Sequence, residues 1–456
     1  MVRIERLVIM LLGIALLRAW WKLYRGKVKR WWKRIKDHLP RHWQPKSPED
    51  CPLCRIETQT MKQVDQLERP VAYSESKSVR GRKKQLDTTG MACPNEACVY
   101  FGERDANRHA LIGYGKLGQD KTIQRWMCAA CQTTFSCRKG TPLYYAKTAP
   151  TVIANALWWL AEGVDISVLV RKLGYHEETL AHWLNQAGEH AARWHTETFL
   201  NLTFDLIQMD ELYTKVKEAE KARWLWLAID PVSKALPALH LGGRQATDAY
   251  SLVHDLKQRL HPNCVPAFTT DGLRTYFHAI TAHFGWWFRP PRARKDHWHV
   301  HDALQYGQLV KRRERRQVTY TITRMLWGKR QDLYDTLEKQ GFRRLIQTAF
   351  IERVNLTIRQ GVSLLTRRTW SLPQTDQHLL NHVEWWRYYY HWIRPHQMLC
   401  EPVPGEKHRR RDRTPAMALG LTDHLWTVEE ILRTPVLTPL ARSDPAHLAT
   451  RAALVA

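Results

Sequence analysis

A chain of 456 residues is too long for one compact core, so two to four domains are expected, and 44% hydrophobic with 10% aromatic residues excludes a mostly disordered polypeptide. Lys and Arg outnumber Asp and Glu by 70 to 44, a formal charge of +26. Such an excess points to a polyanionic partner: DNA, RNA or an anionic membrane surface. Nine unevenly spaced cysteines do not form a secreted disulfide scaffold; a reducing cytosol with some cysteines on metal fits better. Of the 21 tryptophans, Trp31, Trp32, Trp43, Trp385, Trp386 and Trp392 lie among basic residues, where they suit either base stacking or core packing.

Residues 1–40 form a basic and apolar segment with helical character. Leu7 to Leu17 is an uninterrupted apolar run behind Arg3 and Arg6, too short to span a bilayer as a helix. It reads as a buried or interfacial amphipathic segment, as a start codon placed too far upstream, or as a membrane anchor. Residues 41–90 turn polar, without sustained periodicity, and read as a linker or weakly ordered arm. Within it Cys51 and Cys54 make a CPLC pair with no second pair beside it, a weak metal signal by itself.

Residues 91–147 carry Cys93 and Cys98 (CPNEAC), then Cys128 and Cys131 (CAAC), separated by the strand-like HALIGYG and TIQRWM. Two knuckles on a β-ribbon can bring four thiolates to one tetrahedral zinc ion. Cys137 is a spare thiol. Residues 148–200 read as helix, short helix over Ile166 to Leu173, turn at Gly174, and a third helix from Glu177 to Trp194, which is the layout of a helix-turn-helix. Thr179 and His182 are the residues of the third helix that would reach bases.

Residues 201–400 begin with the strand TFDLIQMDELYTKV, in which Asp210 and Glu211 should point to opposite faces, so that only one of them enters a shared site. RWLWLAID and ALPALHLGG read as a hairpin-like return, Thr247 to Leu260 as a helix, and VPAFTTDG as a strand ending on Asp271. The result is an α/β layer. A basic, aromatic segment from Phe288 to Lys329 supplies Lys311, Arg312 and Arg313. Then Ile351, Val354, Ile358, Val362 and Leu365 recur at helical spacing, with Glu352, Asn355 and Arg359 on the adjoining polar edge. Three carboxylates on two strands and a helix can converge, and they repel unless hard divalent cations neutralise them. Asp230 reads as a turn residue before Pro231, and His297, His299 and His301 alternate so as to share one strand face. Residues 401–456 form a C-terminal tail.

These features resemble the DDE transposases of bacterial insertion sequences, in particular the insertion-sequence-one group. The resemblance runs over roughly residues 93 to 432, through CAACQTTFSCRKGTPLY, MDELYTKV, TTDG, YGQLVKRR, AFIERVNLTIRQ, YYYHWIRPHQML and RTPAMALGLTDHLW. It implies a multidomain α+β protein: a zinc β-ribbon, a helical helix-turn-helix domain and a ribonuclease-H-like α/β catalytic domain. It further implies that Asp210, Asp271 and Glu352 hold two Mg²⁺ or Mn²⁺ ions, with Asp210 bridging, beside one structural Zn²⁺. The intervals of 60 and 80 residues between the acids suit an uninterrupted core. Asn355 and Arg359 match polar positions that would face DNA or brace the glutamate. The implied partners are DNA, as element ends and target, and further copies of the chain in a dimer or larger synaptic assembly. The implied location is the bacterial nucleoid, with membrane association left to Leu7–Leu17. Two alternatives share the sequence features: a non-catalytic sequence-specific DNA-binding protein, and a nuclease on the same fold.

Overall fold

A computed structural model of the chain describes residues 46–54, 72–73 and 86–436, except 87, 89, 119–120, 220–221, 290–293, 316, 368–370, 404 and 406–409. The apolar run Leu7–Leu17 and Trp31, Trp32 and Trp43 lie outside the described residues, as do residues 437–456 of the tail expected over 401–456. The first sheet is antiparallel, with β1 (Leu111–Leu117), β2 (Ile123–Cys128) and β3 (Thr134–Ser136) in that order. Its small core is Leu111, Trp126 and Phe135 around Cys93, Cys98 and Cys128.

Three helices follow. Pro150 opens α1 (Pro150–Ala161), where a missing N–H costs nothing. The Asp165 side chain accepts the Ser167 N–H to cap α2 (Ile166–Leu173), which ends on Gly174 at φ 72, the left-handed conformation that favours glycine. The third, α3 (Glu177–Thr198), runs four residues beyond the expected Trp194.

The larger layer is built from β4 (Leu206–Thr214), β5 (Arg223–Ile229), β6 (Ala238–Gly242), α4 (Ala246–Arg259), β7 (Ala267–Thr270) and α5 (Thr275–His283). A hairpin of β8 (Gly285–Phe288) and β9 (His297–Val300) leads to β10 (Tyr306–Glu314) and β11 (Gln317–Trp327). Then come α6 (Arg330–Lys339), α7 (Ala349–Gly361) and α8 (Asp376–Trp392), followed by short helices over Pro415–Ala418 and Val428–Arg433. The six-stranded sheet has the order β11-β10-β7-β4-β5-β6; β7 runs parallel to both β4 and β10, and the other neighbours are antiparallel. The protein is therefore mixed α+β. Among the described residues no helix is long and apolar enough to cross a membrane.

Alternation along β4 puts Gln208, Asp210 and Leu212 on one face and Met209 and Glu211 on the other. The first face is covered by α7 and α8, where Leu212, Leu225, Leu227 and Ile229 pack with Ile351, Val354, Ile358 and Trp386. On the second face Tyr276 of α5 meets Trp226 edge-on at 5.4 Å. The predicted apolar stripe of α7 is buried, but the helix ends at Gly361, and Val362 and Leu365 complete the stripe from beyond it. Gly361 sits where a Cβ would lie 2.1 Å from Trp386 Nε1. Trp385, Trp386 and Trp392 are fully buried, so for these three the core-packing reading holds and base stacking does not.

The three-helix unit is joined to α8 by direct contacts. Trp385 Nε1 donates to Leu157 O at 2.9 Å, and Tyr389 OH donates to Glu162 Oε1 at 2.6 Å. Asn381 Nδ2 donates to Asn185 Oδ1 at 3.2 Å. Packed side chains thus cross the boundary expected at residue 200, and Ser47 onward forms one compact unit. The tightest point is Gly188, where a Cβ would stand 2.2 Å from the Asn381 carbonyl oxygen. Alanine normally improves a helix interior by about 1 kcal/mol over glycine, whereas overpacking costs roughly 1–3 kcal/mol. Gly188→Ala is therefore expected to lower the melting temperature, against helix propensity. An unchanged or higher Tm would show that α3 and α8 do not meet there.

Candidate active site

Strand pairing matches Met209 with Thr270, so Asp210 and Asp271 come next on adjacent parallel strands, Asp271 lying one step past the end of β7. The Leu273 N–H donates to Asp271 Oδ1 at 2.9 Å, which fixes the carboxylate in a turn. Oxygens of Asp210, Glu211 and Asp271 all lie within 4.8 Å of one another. The expectation that only one of Asp210 and Glu211 enters a shared site is therefore wrong. The two do leave β4 on opposite faces, but Asp271 stands beyond its strand, level with both. Glu211, with a side chain only 2% exposed, accepts Arg244 Nη2 at 2.5 Å and the Tyr276 hydroxyl at 3.1 Å.

Glu352 reaches the same cleft from α7. Gln208, buried on β4, donates to Gln347 O at 2.9 Å and accepts the Ile351 N–H at 3.2 Å, so it ties the first turn of α7 to the strand that carries Asp210. Glu352 accepts the Thr348 hydroxyl at 2.7 Å and pairs with Lys311 of β10. One turn on, Asn355 Nδ2 donates to Asp210 Oδ2 at 2.8 Å. Asn355 thus braces the aspartate rather than the glutamate. Arg359 donates to Tyr213 O at 3.1 Å and Leu365 O at 3.0 Å, which stitches the helix to β4, and it lines the same cleft. The cleft, about 710 Å³, is lined by Asp210, Glu211, Asp271, Glu352, Lys311 and Arg367 among others. Arg312 is exposed on β10, and the side chain of Arg313 lies outside the described residues. Thr179, half-buried, and His182, exposed, are on α3 and do not line the cleft.

Crowding of like charge sets the site's electrostatics. Burial, then the neighbouring Glu211, Asp271 and Glu352 carboxylates, push Asp210 up to about 7. Burial and Asp271 raise Glu211 too, despite Arg244. Tyr276 is held well above the phenol range by burial and by Glu211, so it remains a donor.

The four expected thiols also meet. Cys93 and Cys131 sulfurs are 3.6 Å apart, Cys98 and Cys128 sulfurs 3.8 Å, and all four lie within 4.8 Å of one another, a set fit for one zinc ion. Burial and the other sulfurs hold the Cys98 thiol up at about 11. Against burial, hydrogen bonds from Thr133 and Asn95 instead lower Cys131 to about 6. Cys137 is half-buried beside the cluster but outside this set. Asp230 is a turn residue as expected: it accepts the Ser233 N–H at 2.8 Å and the Val232 N–H at 3.2 Å. His299 and His301 flank the Trp286 ring at 4.6 and 5.2 Å, and no metal-ligating group among the described residues includes them. No family model matches the chain, and no curated protein matches it.

The raised Asp210 carboxyl has a consequence for stability. An ordinary aspartate ionises near 4, whereas Asp210 in the fold keeps its proton to about 7, so over that window the folded state binds more protons and stability falls as pH rises. Without added divalent cation, Asp210→Asn should gain on the wild type by roughly 1–3 kcal/mol between pH 5 and pH 8. Parallel melting curves across pH 5–8 that never diverge would remove this charge crowding.

Proposed function

We propose that the chain is a DDE-type DNA transposase, similar to the insertion-sequence-one group, that binds the ends of a mobile element, cleaves them and joins their 3′-hydroxyls to target DNA. The observation that supports this reading is the close group of Asp210, Glu211 and Asp271, with Glu352 lining the same open cleft but outside that group, in a chain of charge +26. Clustered hard oxygens whose mutual repulsion raises Asp210 to about 7 are a donor set suited to Mg²⁺ or Mn²⁺. Two such ions would activate the attacking water or 3′-hydroxyl and neutralise the leaving 3′-oxygen as the phosphodiester bond breaks.

The roles of the acids differ because their donors differ. Glu211 has one oxygen on Arg244 and the other on Tyr276, so it contributes charge and little coordination. Asp210 has a neutral amide donor from Asn355, which orients it without cancelling its charge. Glu352 is paired with Lys311, but at 47% and 28% exposure that pair is worth about 0–1 kcal/mol and exchanges readily for a cation. Lys311 is then free at the cleft, where phosphates would lie. The four-cysteine cluster is read as the zinc site of a β-ribbon, and α1 to α3 as a helix-turn-helix whose Thr179 and His182 contact the element ends. Synapsis of two ends calls for at least a dimer, acting at the nucleoid.

The reaction is tested in vitro with the element's own ends and Mg²⁺ or Mn²⁺. Asp210→Asn, Asp271→Asn and Glu352→Gln should each lower cleavage and strand joining at least about 100-fold while end binding persists. Cys128→Ala should release zinc and weaken end binding. An amide variant with wild-type cleavage leaves the triad. A wild-type protein that binds the ends and never cleaves them is the non-catalytic DNA-binding protein instead.

A further inference from the structure

We propose that Cys51, Cys54, His254 and His283 form a second, closed zinc site, which fastens the segment ahead of the three-stranded sheet to helices α4 and α5. The CPLC pair has no partner pair in the sequence, but the fold supplies one from two helices. Cys54 Sγ lies 3.4 Å from His254 Nδ1 on α4 and 3.3 Å from His283 Nε2 at the end of α5, and the four ligand atoms are all within 4.8 Å of one another. Tetrahedral zinc with bonds of roughly 2.3 Å to sulfur and 2.0–2.1 Å to nitrogen requires sulfur–nitrogen edges of about 3.5 Å. The observed separations fit that edge.

The second ring nitrogens are also arranged for ligation. His283 Nδ1 stands 2.8 Å from Ala279 O, a contact it can make only as a donor, so the proton is on Nδ1 and the Nε2 lone pair faces Cys54. His254 Nε2 is 3.1 Å from the Gln258 side-chain amide; with the amide oxygen turned to it, Nε2 carries the proton and Nδ1 is left to bind. Cys51, His254 and His283 are buried and Cys54 is half-buried. Two thiols packed against two imidazole lone pairs can exchange their protons, released to solvent, for one Zn²⁺, and two thiolates with that ion make a neutral, compensated centre. Four protein ligands leave no open position, which marks a structural ion rather than a catalytic one.

The likeness to a staple is literal in sequence terms, since Cys54 and His254 are 200 residues apart and Cys54 and His283 are 229. A clip across so long a loop removes a large closure entropy from the unfolded chain. The inference stands independently of the phosphoryl-transfer reading.

The test is zinc stoichiometry by mass spectrometry and X-ray absorption on the full chain purified without chelator. Wild-type protein should hold two zinc ions per chain, with a mean first shell of three sulfurs and one nitrogen for each. Cys54→Ala and His283→Ala should each retain one ion with an all-sulfur shell, and Cys128→Ala one ion with two sulfurs and two nitrogens. A single zinc per wild-type chain in a four-sulfur shell overturns the site, as does unchanged zinc content in Cys54→Ala. The wild-type spectrum decides even where a variant fails to fold.

Discussion

The hydrogen bond from Asn355 to Asp210 is the contact on which the site's arrangement turns, because it holds a buried carboxylate with a neutral donor. A guanidinium in the same place would neutralise Asp210 permanently and leave nothing for a cation to gain. Gln208, two residues earlier on the same strand face, makes the bond possible by anchoring the first turn of α7 through both ends of its amide. Strand and helix are thereby held in one register, and a 2.8 Å contact to Asp210 is available without strain in either element. Asp210 is thereby fixed with Asp271 and Glu211 within reach, and it is burial and those carboxylates, against the Asn355 donor, that keep its proton to about 7.

What could be read from the sequence was what is local in it. The stripe of Ile351, Val354 and Ile358 repeats within one helix, the strands carrying Asp210 and Asp271 show their own alternation, and the Cys93–Cys98 and Cys128–Cys131 knuckles have their own spacing. Errors arose where the answer lay between elements. Periodicity gave the faces of Asp210 and Glu211 correctly, yet the position of Asp271 past its strand end made faces a poor criterion for proximity. No pattern near Asn355 says that its partner is Asp210, nor that Arg359 satisfies two carbonyls. The tryptophans of α8 stand among cations in sequence but within the core in space, since basic neighbours on a helix need not share a face with them. Cys51 and Cys54 were the furthest from legible, because their partners are single histidines on two helices some 200 residues away.

Among the described residues there are two small clusters of cysteine and histidine ligands and one of carboxylates, and the division follows from what each part of the chain can bury. The three-stranded sheet has a core of a few side chains, too few to hold itself by apolar area alone, and its centre is sulfur. The six-stranded layer has ample apolar packing on the α7 and α8 face, so its polar groups are free to be arranged for chemistry rather than cohesion. Carboxylates concentrated there cost stability, and a large core tolerates that cost where a small one does not.

The route from α3 to Asp210 runs through contacts that have no alternative arrangement. Gly188 of α3 lies against the backbone of Asn381 on α8, Trp386 of α8 lies against Gly361 of α7, and Asn355 of α7 holds Asp210. At the two glycines there is no side chain whose rotamer could change, and the neighbouring backbone or indole leaves no room for sliding. A switch needs two discrete packings of comparable energy, and these contacts provide one. The three helices are therefore held at a fixed position relative to the carboxylates. Rigid placement of this kind is what proximity and orientation require of any site that must align a ligand with fixed oxygens.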